Sequence, residues 1–112
     1  METEKEILVK QEVNSLVQKA LVALDEYAHY DQERIDFIVA KCSVAALDKH
    51  GELAKIAIEE TNRGVFEDKA TKNLFACEYV VNHMRHLKTV GIIEEDEVKG
   101  LTYIAEPVGV VA

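Results

Sequence analysis

A chain of 112 residues, 48% hydrophobic and 30% charged, has the size and composition of one soluble globular unit or part of one. Its net charge of -8 argues against nucleic acid, which rewards clustered Lys and Arg, and equally against an anionic membrane surface. Two cysteines, Cys42 and Cys77, have no metal-type spacing and make no disulfide scaffold, so reduced, buried thiols in a cytoplasmic protein are expected.

The start, Met1 to Glu6, has no basic region followed by an apolar run, so no secretory signal is expected. From Glu4 to about Tyr30, Val9, Val13, Leu16, Val17, Ala20, Leu21, Leu24, Tyr27 and Ala28 recur at threes and fours, predicting one long packing helix. The stripe is not a clean heptad, so a coiled-coil arm is the lesser reading. Asp31 reads as the N-cap of a second helix, a half-made capping box with Arg34 where the reciprocal acid belongs. Ile35, Ile38, Val39, Cys42, Ala45 and Ala46 give its stripe, and Gly51 reads as its C-terminal stop. Ala40, Ala45 and Ala46 would let another helix approach closely.

Glu52 to Arg63 reads as a third helix, with Leu53, Ile56, Ala57 and Glu60 on one face and Gly64 closing it. Glu67 and Asp68, ahead of Lys69 and Lys72, suit the start of a fourth helix running to about His86. Short connectors imply antiparallel or sharply angled neighbours. The last quarter changes character. Thr89 to Ile93 is β-branched without helical period, and Glu94-Glu95-Asp96-Glu97 reads as a solvated turn or strand edge. Leu101 to Ala105 is a second strand candidate, and Val108 to Ala112, after the single Pro107, reads as an apolar strand.

The residues whose types can carry chemistry each have a plainer account. His83 and His86 lie on neighbouring helical turns, but spacing indicates no third metal ligand, and a helix C-terminus favours His there without a metal. Cys42 and Cys77 fall mid-helix on apolar faces, away from the helix N-terminus or base that would activate a thiol. Glu59, Glu60, Glu67 and Asp68 are explained by helix-end charge complementarity rather than by paired acid-base work. No Gly-rich phosphate loop is present. No residue is therefore expected to be catalytic, cofactor-binding or metal-ligating.

Arg63-Gly64-Val65-Phe66-Glu67-Asp68-Lys69, Lys72-Asn73-Leu74-Phe75-Ala76 and Glu78-Tyr79, in this order and spacing, resemble the N-terminal part of CoA-acylating aldehyde dehydrogenases. The likeness is above all to the bifunctional aldehyde-alcohol dehydrogenases of fermenting bacteria. Lys88-Thr89-Val90-Gly91 and Ile104 to Val110 continue it, and it is specific from about Leu53 to Ala112.

The resemblance implies a mainly α chain with C-terminal β-strands, an α+β arrangement forming the N-terminal helical segment of an aldehyde dehydrogenase-like α/β fold. Residues 1–88 would be a helical segment of about four helices. Residues 89–112 would be a β-hairpin and a truncated strand leading into a dinucleotide-binding domain. The parent activity implied is NAD-dependent and CoA-acylating, from acetyl-CoA to acetaldehyde and on to ethanol in fermentation. NAD and CoA would be its cofactors, with iron in an alcohol dehydrogenase half. The family's nucleophilic cysteine and cofactor contacts lie downstream of the region matched, so neither Cys42 nor Cys77 inherits that role. This chain alone is expected to bind no cofactor and to be inactive scaffold. Its partner would be the remainder of the enzyme or a second copy in a homo-oligomer, with no nucleic acid and no membrane. The alternative reading is a self-standing acidic helical module that associates with itself or with the full-length enzyme.

Overall fold

The computed structural model describes all 112 residues, which divide into two units, Met1–Asp31 with Thr89–Ala112, and Gln32–Lys88. Helices dominate, with one antiparallel two-stranded sheet. No helix is long and apolar enough to cross a membrane.

The first unit holds α1 (Glu4–Tyr27), β1 (Gly91–Asp96) and β2 (Leu101–Ala105). At about 1.5 Å per residue the 24 residues of α1 extend about 36 Å. Its start is fixed by a complete capping box: the Thr3 side chain accepts from the Glu6 amide at 3.2 Å, and the Thr3 amide donates to Glu6 Oε2 at 2.7 Å. The Thr3 amide, and after it the Thr3 side chain, hold the Glu6 carboxyl below its ordinary value. The apolar stripe is only partly covered: Ala20, Leu24 and Tyr27 are half-buried, no residue of α1 is buried, and Leu16 is 59% exposed.

In the hairpin, Gly91 pairs with Ala105, Ile92 with Ile104, Glu94 with Tyr103, Glu95 with Thr102 and Asp96 with Leu101. Ile93 is left over, a β-bulge that breaks the alternation of faces along β1. The acidic run is thus divided: Glu94, Glu95 and Asp96 belong to the strand, and Glu97 opens a four-residue turn. Asp96 Oδ1 accepts from the Lys99 amide at 3.0 Å, and Gly100 takes the left-handed conformation at φ 65° that brings the chain back. Beyond Ala105 the strand expected at Val108 to Ala112 does not form, because no third strand lies beside it to supply hydrogen bonds. Val108 is 92% exposed.

The second unit holds α2 (Gln32–Asp48), α3 (His50–Thr61) and α4 (Phe66–Leu74). The last continues without a break through a π-helical segment (Phe75–Val80) into α5 (Val81–Met84). Helix α3 packs on α4, and α2 packs on the π segment and touches α5. The two buried apolar residues of the chain are here, Ile35 on α2 at 6% exposure and Ala54 on α3 at 0%.

Two helix ends differ from expectation. Gly51 does not stop α2; it lies inside α3, outside the left-handed region. The end of α2 is satisfied instead by a side chain, as His50 Nδ1–H donates to the Leu47 carbonyl at 2.6 Å. At the end of α3 the left-handed cap is Asn62, φ 54°, whose amide donates to the Ile58 carbonyl at 2.8 Å. Gly64 is also left-handed, at φ 89°, and shapes the connector that follows.

Candidate functional site

Helices α2, α3 and α4 with its π segment line a solvent-open cavity of about 230 Å³. Its floor is methyl groups and one longer side chain: Ala46 from α2, and Leu53, Ala54 and Ala57 from α3. Ala76 and Cys77 of the π segment form a wall. Lys69, Lys72 and Asn73 of α4 complete it, and they supply its polar groups. Ala46, one of the small residues noted in the sequence as permitting close approach, is part of that floor, and the gap exists because such residues leave the facing helices underfilled.

Each polar residue is positioned differently. Asn73 is half-buried, and its Nδ2 donates to the His50 carbonyl at 3.0 Å, tying α4 to the first residue of α3. Lys69 is half-buried because its stem lies across Gly64: a Cβ there would fall 2.7 Å from Lys69 Cε. Lys72 is exposed. Lys10, Lys49, Lys55 and Lys99 pair with Glu2, Glu52, Glu59 and Asp96, whereas Lys69 and Lys72, like Lys5, Lys19, Lys41 and Lys88, make no ion pair.

The π segment explains how these side chains stay on one side. Lys69, Asn73, Cys77 and Val81 are all half-buried and recur every four residues. In an uninterrupted α-helix, at about 100° per residue, that spacing would drift by roughly 120° across the set. The i to i+5 closure of a π turn underwinds the helix and offsets the drift; such turns are frequent at functional sites. On the same segment the exposed Phe75 and Tyr79 stack with ring centroids 6.0 Å apart.

The residues weighed from the sequence do not gather here. Cys42 is exposed on α2 and Cys77 is half-buried in the cavity wall, which corrects the expectation that both thiols are buried. Cys42 lies two turns on from the buried Ile35, on the same stripe of α2, so its exposure means that the stripe is not covered at that point. Glu59 pairs with Lys55 at 3.9 Å, while Glu67 and Asp68 occupy the first turn of α4. None of the four acids weighed from the sequence lines the cavity. His83 lies in the last turn of α5 and His86 beyond it, and no group of three His, Cys, Asp or Glu is arranged to hold a metal ion. Sequence reasoning missed Lys69, Lys72 and Asn73 as a set. The lysines' i, i+3 spacing was visible, but that Asn73 reaches the residue before Gly51 was not.

No protein-family model matches the chain. It is 72% identical over 108 residues to the aldehyde-alcohol dehydrogenase of Streptococcus pneumoniae serotype 4, covering 96% of this chain and 12% of that protein. It is 61% identical over 113 residues to aldehyde-alcohol dehydrogenase 2 of Entamoeba histolytica, covering 99% of this chain and 13% of the relative. Among solved structures, an acetylating aldehyde dehydrogenase from Geobacillus thermoglucosidasius superimposes with a TM-score of 0.67 at 43% identity, over 79% of this chain and 20% of that one. The chain therefore spans about an eighth of the length of the curated relatives it matches. In sequence and in fold it is the counterpart of the N-terminal part of the bifunctional aldehyde-alcohol dehydrogenases, within their acetylating aldehyde dehydrogenase region.

Proposed function

We propose that these residues act as the N-terminal scaffold of an NAD-dependent, CoA-acylating acetaldehyde dehydrogenase joined to an iron-dependent alcohol dehydrogenase. The whole enzyme would reduce acetyl-CoA to acetaldehyde and then ethanol in a fermenting cytoplasm. The 72% identity over nearly the whole chain is the observation that carries the reading. The exposed apolar residues support it from a second side. Burying a Val or Leu side chain is worth about 1.5–3 kcal/mol, and α1 leaves Val9, Val13, Leu16 and Leu21 without that gain. Those faces are built for burial against the rest of the enzyme or a second copy. On this reading the chain positions other elements, while the nucleophile and the cofactor contacts are supplied from elsewhere.

A chimera tests this, with residues 1–112 replacing the matching part of the Streptococcus pneumoniae enzyme. The expected result is CoA- and NAD-dependent acetaldehyde oxidation by the chimera and none by the 112 residues alone. A folded but inactive chimera, or activity in the isolated chain, would contradict it.

A further inference from the structure

We draw no further inference here: the strongest candidate, the solvent-open cavity between α2, α3 and α4 with its π segment, is an alanine-lined face rimmed by Lys69, Lys72 and Asn73, and nothing in the structure shows what covers it.

Discussion

Between Gln32 and Lys88 the helices touch one another, bury Ile35 and Ala54, and exchange a hydrogen bond from Asn73 to His50. In Met1–Asp31 with Thr89–Ala112 no side chain is buried at all. What defines that unit is local: a capping box at Thr3, a bulge at Ile93 and a left-handed turn at Gly100. The contrast separates two sources of order. Caps and turns specify where an element starts and stops, at about 1 kcal/mol each, but they do not replace the burial of an apolar face. One unit has begun to build a core, and the other presents faces that need one.

The comparison is broken most strongly at Ala54. It is fully buried where α3 meets the cavity, so Ala54→Leu should cost about 1–3 kcal/mol through overpacking unless the added carbons settle into the cavity. Urea unfolding followed by circular dichroism measures it. If the cost is near zero, the added carbons have settled into the open cavity. Gly64→Ala comes next, at about 1–2 kcal/mol, since it both forces a non-glycine residue to φ 89° and drives a methyl into the Lys69 stem. Asn73→Ala removes the link between α4 and α3 and should cost about 1 kcal/mol, seen as faster amide exchange around His50.

The corresponding changes in the first unit are smaller or more local. Thr3→Ala should fray the first turn of α1 at about 1 kcal/mol without disturbing α2 to α5, as backbone chemical shifts would report. The Glu6 carboxyl is depressed in the folded state, so the box's contribution is fully present above the ordinary Glu range. It is lost as pH falls through the lower folded value. Fraying of residues 3–7 on acidification should therefore lag behind the titration of an exposed glutamate. Leu16→Ala, at a position 59% exposed, should change the stability of the isolated chain by less than about 0.5 kcal/mol. In the chimera the same substitution should cost about 2 kcal/mol or more if the stripe is covered there.

Much of the backbone plan was legible. The stripe from Val9 to Leu24 gives α1, and β-branched residues around Ile92 and Ile104 give the hairpin. The capping box is written plainly in the sequence as Thr3-x-x-Glu6, complete where Asp31 has only half of one. Helix ends at Gly51 and Gly64 were misplaced by one rule applied twice: glycine is a frequent left-handed cap, yet a His side chain and an Asn backbone did the work here. The π segment left little trace, since Leu74, Cys77 and Val81 fit ordinary threes and fours. The cavity was beyond reading because it is an absence, formed where alanines from separate helices face each other.

Hydrogen exchange by mass spectrometry, on the isolated chain and on the full-length chimera side by side, tests the central claim most directly. The account predicts that α1 and the β1–β2 hairpin exchange rapidly in the isolated chain and become strongly protected in the chimera, while α3 and α4 are protected in both. Equal and strong protection of α1 in the isolated chain would contradict it, showing that this chain covers its own apolar faces.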